Sequence, residues 1–383
     1  HTTVGDNLER MEEVFRQAVK RADLIITTGG TGPTLDDLTK TTVAKVLGLE
    51  LVLHEESAEQ VKSFFHKRGR QMPESNLKQA YFPRESRVIP NHLGTAPGVI
   101  IEHSGKIVII LPGPPFEMKP MFEETVEPYL RDKSDGQPEV ISAKVLKVFG
   151  IGESTVEEAL ADVLTERHKA TLALLAKQAE LHIRISATAA NKTEADQAVL
   201  EMEKQVRGKL GDKVFAADDQ DMADIVGGLL AKLGLTMATA ESCTGGLIGG
   251  ALTAIPGSSS YYLGGFITYS NGLKVKLLGV NEQTLADFGA VSPETAREMA
   301  AGARKNTAAN LAVSVTGIAG PGGGSETKPV GLVYVGLAVP DSISTEKYNF
   351  WGDRQAIRAL TVNAALDLVR RYLIQYESAN QGK

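Results

Sequence analysis

The segment AESCTGGLIGG, residues 240–250, places two possible nucleophiles, Ser242 and Cys243, side by side at a turn. An apolar run precedes the segment and another apolar stretch follows it, so the pattern predicts a strand, a tight turn and a helix. Helix capping alone would account for a Ser or Thr here. It does not account for Gly245 and Gly246, because each glycine costs about 1 kcal/mol inside a helix. Exposed backbone N–H groups at such a turn could stabilise the oxyanion of a tetrahedral intermediate. The residues alone leave open which of the two side chains attacks.

A second segment, FITYSNGLKVKLLGV at residues 266–280, carries possible proton-transfer groups. It predicts a strand that ends near Tyr269, a Ser-Asn-Gly turn, and a short helix with Lys274 in its first part. Tyr and Lys side chains near a serine can move its proton. The alternative is a tyrosine at the edge of the core and a solvated lysine.

Two further features could hold an anionic substrate. SVTGIAGPGGG, residues 314–324, predicts a strand that ends at a glycine loop, with Thr316 at its lip. Arg354 and Arg358 are four residues apart, so they share one face of a predicted helix. Two arginines beside a glycine loop suit a phosphate or carboxylate, whereas the alternative is a solvated charged face.

The N-terminal third contains its own candidate site, TTGGTGPTLDDLT at residues 27–39, where a strand meets a helix. Glycines there allow the backbone to approach an anion, and a helix N-terminus favours negative charge. Asp36 and Asp37 could hold a divalent cation beside that anion. A glycine-rich turn with an Asp N-cap explains the same letters equally well. LPGPPFE, which ends at Glu117, follows another apolar strand, and ligands bind beyond the carboxyl ends of parallel strands.

Composition narrows the classes of protein that fit. The chain has 383 residues with 41 basic and 47 acidic side chains, a net charge of −6, so we expect no nucleic-acid partner. No apolar run approaches the roughly 18 residues of a membrane span, and we expect no membrane partner. The single cysteine, Cys243, excludes an internal disulfide and is typical of a reducing cytoplasm. The histidines show no metal-ligand spacing.

The elements that must position these residues fall into three predicted domains of an α/β protein. Residues 1–131 alternate helix and strand, which predicts a doubly wound, parallel sheet with helices on both faces. Residues 139–216 predict a small α+β domain with two strands and two helices. Residues 221–377 alternate helix and strand again, with a strand pair before a long closing helix.

These motifs together resemble the competence/damage-inducible CinA family along essentially the whole chain. TTGGTGPTLDDLT, GTAPG at residues 94–98 and LPGPPFEM are similar to its molybdopterin-binding-like domain. FGIGES at residues 149–154 resembles the start of its KH-like domain. AESCTGGLIGG, GGFITYSNGLKVKLLGV, GAVSPETA and SVTGIAGPGGG resemble its C-terminal amidase domain.

The resemblance implies two cytoplasmic activities in pyridine nucleotide salvage. The C-terminal domain would hydrolyse nicotinamide mononucleotide to nicotinate mononucleotide and ammonia, with no cofactor. The N-terminal domain would cleave ADP-ribose at its pyrophosphate with a divalent metal ion of unknown identity. The family also implies a homodimer. The alternative is a non-catalytic protein that binds a pterin or nucleotide through its N-terminal and KH-like domains.

The resemblance also assigns residues. The family's serine falls on Ser242, which makes Cys243 a bystander that lines the site. Tyr269 and Lys274 would manage the serine's proton, and which of them is the base stays open, as does the choice between Arg354 and Arg358 as the substrate ligand. The remaining contacts expected with substrate are Thr244, Gly245, Gly246, Thr316 and Gly317 in the amidase domain and Gly29, Gly30, Thr31, Gly32 and Pro33 in the N-terminal domain, with Asp36, Asp37 and Glu117 as metal ligands.

The first letters, HTTVGDNLER, lead directly into a predicted helix, whereas a doubly wound domain normally begins one strand earlier. The family also places a strand and a ligand loop before this point. We therefore expect the natural protein to begin earlier, by at least one strand and one helix.

Overall fold

The computed structural model of the chain describes residues 1–133, 139–165 and 169–380. The chain divides into two compact units, His1–Gln137 and Pro138–Lys383. The first unit has one principal sheet, and the second has two separate sheets. The mixed α/β fold class expected from the sequence is confirmed. In the parts of the chain that the structure describes, none of the helices has both the length and the apolar character needed to cross a membrane.

The first unit surrounds a four-stranded sheet whose strand order is β1-β6-β5-β4. Its strands are β1 (Leu24–Thr28), β2 (Leu51–Leu53), β3 (Tyr81–Pro83), β4 (Arg87–Ile89), β5 (Gly98–His103) and β6 (Lys106–Leu111), of which β2 and β3 form a separate pair. Its helices are α1 (Leu8–Arg21), α2 (Thr39–Leu47), α3 (Glu55–His66), α4 (Pro115–Met121) and α5 (Glu127–Lys133), with a 3₁₀ segment at Glu74–Ala80 and a π-helical turn at Phe122–Val126.

The parallel sheet predicted for this unit is only partly correct. Strands β1 and β6 pair in parallel, but β6 with β5 and β5 with β4 are antiparallel. The reason is a two-residue hairpin in which Ser104 and Gly105 have φ of 50° and 74° between the paired residues His103 and Lys106. Turns with two positive φ values match the twist of antiparallel strands. The apolar run of β6 was recognised from the sequence, whereas its hairpin partner was not.

The second unit begins with an antiparallel sheet in the order β10-β7-β9-β8. Its strands are β7 (Val140–Val148), β8 (Ala170–Ala176), β9 (Leu181–Ala189) and β10 (Val214–Ala217), and its helices are α6 (Glu153–Ala159), α7 (Ala161–Thr165) and α8 (Lys192–Leu210), followed by a 3₁₀ turn at Gly211–Lys213. The predicted pair of long strands corresponds to β7 and β9. Strand β8, which pairs with β9, was not predicted.

The rest of the second unit is built on a five-stranded sheet in the order β12-β11-β13-β14-β15. Its strands are β11 (Met237–Glu241), β12 (Tyr262–Ile267), β13 (Leu311–Gly317), β14 (Leu332–Val339) and β15 (Ser342–Asn349). Its helices are α9 (Met222–Leu233), α10 (Leu247–Thr253), α11 (Asn271–Leu278), α12 (Glu282–Phe288), α13 (Pro293–Thr307) and α14 (Arg354–Asn380), with a 3₁₀ turn at Ser258–Ser260.

Strand β11 is the element that positions the candidate site. It lies between β12 and β13 and is parallel to both. All five of its residues are buried, because one sheet face packs with α9, α10 and α14 and the other packs with α11 and α13. Alternating side chains therefore belong to two different core clusters, with Met237 in one and Ala238 in the other. The strand ends at the carboxyl edge of three parallel strands, where ligands of α/β proteins bind.

Candidate active site

Ser242 follows β11 directly and is held between the two neighbouring strands. Its backbone N–H donates to the Val315 carbonyl at 3.1 Å, and the N–H of Thr268 donates to the Glu241 carbonyl at 2.8 Å. Gly245 and Gly246 then turn the chain with φ of 63° and 99°. Left-handed backbone strongly favours glycine, so the turn itself accounts for the glycine pair. The close approach of a ligand is not needed to explain it.

Lys274 lies in the first part of α11, as predicted, but it is not solvated. The helix is capped by Ser270, whose hydroxyl accepts from the N–H of Leu273. The Lys274 side chain is only 1% exposed, and its Nζ lies 3.1 Å from Ser242 Oγ. Nζ also donates to the carbonyl oxygens of Thr268 at 2.8 Å and Tyr269 at 3.5 Å. The structure thus brings the predicted nucleophile and one predicted base into direct contact.

Burial lowers the pKa of Lys274 below its usual value, because the surrounding protein disfavours the ammonium form. The nearby Cys243 opposes that shift. The sequence led us to consider Arg354 or Arg358 as a source of positive charge that would lower this pKa. Burial supplies the shift instead, while the two guanidinium groups donate to other acceptors.

Tyr269, the other predicted proton-transfer residue, bonds to an arginine. Its side chain is 61% exposed, and its hydroxyl accepts from Arg354 Nη2 at 3.0 Å. Arg354 Nη1 donates to the Gly320 carbonyl at 2.6 Å, so this arginine joins the start of α14 to the glycine loop after β13. The predicted proximity of arginine and glycine loop is therefore correct.

Arg358 also reaches the site, by contacting the turn that carries the nucleophile. Its Nη2 donates to the Thr244 carbonyl at 2.8 Å. Its Nε is buried and has no hydrogen-bond acceptor within the part of the chain that the structure describes. Arg354 is exposed and Arg358 is half-buried, so the two arginines border the same region but differ in their access to solvent.

Cys243 is next to Ser242 in the chain but is sealed in the core. Burial raises the pKa of its thiol to about 11, and the charge of Glu241 acts in the same direction. Since the thiolate is the nucleophilic form of cysteine, this environment makes Cys243 unreactive at neutral pH. This low reactivity agrees with Cys243 as a bystander in the chemistry, but the burial of its side chain argues against the expected contact with substrate.

Two of the expected substrate contacts, Thr244 and Thr316, need correction. Thr244 is fully buried and its hydroxyl donates to Glu241 at 2.6 Å. Thr316 is 1% exposed and its hydroxyl donates to the Ala290 carbonyl at 2.6 Å. A Cβ on Gly317 would lie 2.6 Å from a Val333 methyl carbon, so that glycine permits close strand packing. The two threonine side chains are not available to a ligand, whereas contact between substrate and the Gly317 backbone stays a prediction.

Glu241 is the important residue that the sequence did not reveal. It is 1% exposed, and its carboxylate accepts four hydrogen bonds. The donors are the Thr244 hydroxyl and the backbone N–H groups of Gly246, Ile248 and Gly249, at 2.6, 2.9, 3.1 and 2.9 Å. The available signal was an acidic residue at the last position of a buried strand. These three N–H groups are therefore not available to an oxyanion, and the Gly245 N–H is likewise bonded, to the Ser242 carbonyl.

The N-terminal candidate site also forms at a junction of two strand ends. The N–H of Gly29 donates to the Leu111 carbonyl at 3.0 Å, and a Cβ on Gly113 would lie 3.4 Å from Gly29 Cα. The two strand-end loops singled out from the sequence thus lie against each other. Gly29 and Gly30 both have positive φ, and the Gly29 carbonyl accepts from the Thr39 hydroxyl at 2.8 Å. Thr31 is buried, while Gly32 and Pro33 are half-buried.

The three predicted metal ligands are not brought together. Asp37 accepts from the Thr34 N–H at 2.9 Å and from its hydroxyl, and Glu117 accepts from Asn91 Nδ2 at 2.7 Å, while Asp36 is exposed. Partial burial would raise the pKa of Asp37, but hydrogen bonds from Thr34 and the Gly32 backbone, together with the charge of Lys78, outweigh it and hold the pKa below its usual value. Across residues 1–133, 139–165 and 169–380, no group of three or more His, Cys, Asp or Glu side chains could hold a metal ion. The predicted three-carboxylate set therefore does not fit a metal centre in this conformation.

Two lysines border the same loop and were not singled out from the sequence. Lys78 Nζ donates to the Thr34 carbonyl at 2.7 Å. Lys40 is buried in α2, and its Nζ donates to the Gln79 carbonyl at 2.7 Å and lies 4.5 Å from the centre of the Phe82 ring. Burial, assisted by the charge of Lys78, lowers the pKa of Lys40 to about 7. The loop thus has positive charge beside it as well as glycines.

Comparison with known proteins matches three parts of the chain to three protein-family models. Residues 1–132 match the family described as "Probable molybdopterin binding domain", residues 143–216 match the damage-inducible protein CinA KH domain, and residues 219–373 match the CinA C-terminal domain. A relative from Caldicellulosiruptor bescii, whose name places it among competence-damage inducible proteins, is 50% identical over 375 residues, 98% of this chain and 90% of the relative. A CinA-like protein from Kosmotoga olearia is 48% identical over 373 residues, 97% of this chain and 90% of the relative.

Solved structures with similar sequences have also been found. The crystal structure of a competence/damage inducible protein from Agrobacterium tumefaciens is 46% identical, covers 39% of this chain and 94% of that chain, and has a TM-score of 0.38. With a relative 50% identical over 98% of the chain, and with three family matches in this order, the chain belongs to the CinA family.

Proposed function

We propose that the site at the end of β11 hydrolyses the carboxamide group of nicotinamide mononucleotide and so produces nicotinate mononucleotide and ammonia. The observation that carries the proposal is the 3.1 Å contact between Lys274 Nζ and Ser242 Oγ at a buried position. A serine next to a lysine whose pKa is lowered is an activated nucleophile. The choice of a nicotinamide nucleotide as substrate comes from the family resemblance.

The surroundings of Lys274 favour a neutral amine that can accept a proton. A neutral amine has two N–H bonds and one lone pair. The carbonyl oxygens of Thr268 and Tyr269 can accept one hydrogen bond from each of these N–H groups. In this neutral form the lone pair is left for Ser242 Oγ, 3.1 Å away, whose hydroxyl would then donate to Nζ. We therefore assign Lys274 as the base, and Tyr269, whose hydroxyl bonds to Arg354, as a residue that borders the substrate.

The reaction would proceed in two halves. Ser242 Oγ bonds to the carboxamide carbon while its proton passes to Lys274 Nζ, and the carbonyl oxygen becomes an oxyanion. The carbon–nitrogen bond then breaks, and the amide nitrogen leaves as ammonia after taking the proton from Nζ. The acyl group remains bound to Ser242 as an ester. Water adds to that ester after giving a proton to Nζ. Collapse of this second intermediate returns the proton to Oγ and releases the carboxylic acid, which loses its remaining proton to solvent and becomes the carboxylate.

The arginines are the candidates for the nucleotide phosphate. Arginine binds phosphate through charge-assisted, paired hydrogen bonds. Arg354 is exposed and borders the glycine loop, whereas Arg358 is half-buried and bonded to the nucleophile's turn. We therefore favour Arg354 as the phosphate ligand and Arg358 as a support for the turn.

The test compares ammonia release from nicotinamide mononucleotide, nicotinamide riboside and nicotinamide by the full chain. We expect release from the mononucleotide, and a strong drop in kcat/KM when the phosphate is absent. A chelator should leave this rate unchanged, because the serine–lysine chemistry requires no metal. If the mononucleotide gives no ammonia above a Ser242→Ala control, the proposal is wrong.

A second, separate activity is proposed for the N-terminal unit on the basis of its loop. The positive φ values of Gly29 and Gly30 and the charge of Lys78 beside Thr34 favour an anionic ligand, and the family resemblance names ADP-ribose. Incubation with ADP-ribose and detection of AMP and ribose phosphate tests cleavage. Binding without cleavage would instead support the alternative, a nucleotide-binding protein whose N-terminal unit is not catalytic.

A further inference from the structure

Glu241 makes a closed network at the turn that holds the nucleophile. Three of its four donors are backbone N–H groups at the start of α10, where the helix itself offers no acceptors. The fourth is the hydroxyl of Thr244, two residues after Ser242. A carboxylate on β11 therefore fixes the start of α10 against the end of the strand. Ser242 occupies the first position of the chain between them.

We propose that Glu241 is a positioning residue, which holds Ser242 Oγ in line with Lys274 Nζ by fixing the turn from its buried side. The inference rests on the proposed function, because it assigns the residue to the same serine–lysine chemistry. Glu241 contacts neither reacting atom. Its effect is on the path of the chain over residues 242–249, whose left-handed glycines allow other conformations when the network is removed.

Other anchors hold the two ends of this path but leave the turn itself to Glu241. The Ser242 N–H is held by Val315, and the Glu241 carbonyl accepts from Thr268. Between Cys243 and Ile248, the chain is also held by the Gly245 N–H to Ser242 carbonyl bond at 3.2 Å, the Gly250 N–H to Gly246 carbonyl bond at 2.8 Å, and the bond from Arg358 to the Thr244 carbonyl. Loss of the carboxylate thus leaves the Ser242 backbone bonded to Val315, while the χ1 angle of Ser242 and the conformation of the turn after it become variable. A displacement near 1 Å can reduce a rate by about 100-fold.

The decisive variant is Glu241→Gln, which keeps the size of the side chain but replaces one acceptor oxygen with an NH₂ group that faces backbone donors. Thr253→Val is the matched control, since it removes a hydrogen bond at the other end of α10, from the Thr253 hydroxyl to the Gly249 carbonyl at 2.8 Å. Both variants are assayed in the full chain, at a temperature well below the unfolding transition of each, with folding checked by circular dichroism.

We expect kcat for the mononucleotide to fall by about 100-fold in Glu241→Gln, with KM within a few-fold of the wild-type value. The pH profile of kcat/KM should keep its midpoint, because Lys274 remains in its buried place. Thr253→Val should retain its rate even when its melting temperature falls. A purely stabilising role predicts instead a lower melting temperature with normal kcat in both variants, and that result would overturn the proposal.

A measurement that does not depend on the substrate separates this inference from the proposed function. A fluorophosphonate probe reacts with activated serines, and its rate of attachment to Ser242 reports the serine–lysine geometry directly. The rate should fall in Glu241→Gln by a factor similar to kcat and stay normal in Thr253→Val. If wild-type protein is labelled but releases no ammonia, the substrate assignment fails while the role of Glu241 is still tested. Equal labelling of wild type and Glu241→Gln would disprove the positioning role.

Discussion

The two candidate sites of this molecule use glycine-rich turns at strand ends in different ways. At Ser242, the side chain that directly follows β11 is buried and bonded to Lys274 of α11, and the positive-φ glycines serve only to turn the chain. At Gly29 and Gly30, the loop is bordered by the buried Lys40 and the half-buried Lys78, and the nearby carboxylates Asp37 and Glu117 bond to separate partners, Thr34 and Asn91. A covalent mechanism needs two atoms held within hydrogen-bond distance. An anion-binding loop needs only backbone shape and charge.

The comparison therefore predicts a different sensitivity to substitution in each site. Single changes at the C-terminal site should act on rate. Single changes at the N-terminal loop should act mainly on local order.

The largest effect is expected from Ser242→Ala. Removing the attacking oxygen should lower kcat for deamidation by about 10⁴-fold or more, as the loss of a nucleophile does in other serine hydrolases. ADP-ribose cleavage or binding by the N-terminal unit should not change. Ammonia release and ADP-ribose assays on the same preparation check both halves. A Ser242→Ala protein with near-normal deamidation would remove the distinction between the two sites.

Lys274→Arg should have the next largest effect, since arginine keeps the charge but does not lose its proton in proteins. The loss of the base should lower kcat by about 10²–10⁴-fold. Lys276→Arg, on the exposed side of the same helix, is the matched control and should behave as wild type. In the wild type, kcat/KM should rise with pH until Lys274 loses its proton, with a midpoint below the ordinary value for lysine. If Lys274→Arg retains kcat and only KM rises, Lys274 binds the phosphate and Tyr269 becomes the better candidate for the base.

Lys274→Met should make the protein more stable at neutral pH, although it is inactive. The folded protein lowers the pKa of Lys274, so the unfolded chain binds more protons between the folded pKa and about 10.4. Wild-type stability should therefore rise with pH through that window, and the advantage of the variant should shrink toward pH 10.5. Removing a buried polar group of this kind is worth on the order of 1–3 kcal/mol. Thermal unfolding at several pH values tests the sign, and destabilisation at pH 7 would contradict it.

Asp37→Ala tests the N-terminal loop. The loss of its bonds to Thr34 should cost about 1–2 kcal/mol of local stability and increase amide exchange over residues 29–39. Since the pKa of Asp37 is held below its usual value, this stability is present at neutral pH and disappears as the pH falls through the folded pKa. Asp36→Ala, at the exposed neighbouring position, is the control and should leave exchange unchanged. Equal effects of the two substitutions would show that the Thr34 contacts do not organise the loop.

The smallest effect is expected from Cys243→Ala. The thiol has a pKa raised to about 11 and is buried, so it should take no part in the chemistry. We expect kcat within about threefold of wild type, with a modest loss of stability from the small cavity. Iodoacetamide should label the native protein slowly. Loss of deamidation in this variant with retention in Ser242→Ala would reverse the assignment of the nucleophile.

The sequence identified the chemical groups of the C-terminal site better than their surroundings. Ser242 and Lys274 were visible because a nucleophile at a glycine turn and a lysine after a short loop are local patterns. Thr316 was placed at the lip of a loop, but its hydroxyl is buried against Ala290, a contact with a residue 26 positions away. Glu241 was missed because a carboxylate in a buried strand gains meaning only from the helix that folds back onto it. The residues that end a strand can be recognised from the neighbouring sequence, whereas the burial of a side chain depends on segments far away in the chain.

The fold shows the same division. The alternation of helix and strand predicted for residues 1–131 is confirmed by α1, α2 and α3. The antiparallel partner of β6 was missed because the Ser104–Gly105 turn is short and β5 resembles any other buried apolar run. Whether two strands pair in parallel or antiparallel depends on the turn between them and on the neighbouring strands of the sheet. The residue pattern of a single strand does not contain that information.

The serine and the lysine are 32 positions apart in the chain, and a single β-α-β-α segment connects them. The segment is short in sequence, so the loop that must close to bring the two side chains together is short as well. Contacts of this separation form earlier in folding than those between remote parts of a chain. The pairing of β11 with β12 should consequently be the first long-range contact of the site, and the bonds that join Ser242 to Val315 and Arg358 to Thr244 complete the site later. In refolding experiments, amide protection in β11 and β12 should then precede the ability of Ser242 to react with a probe.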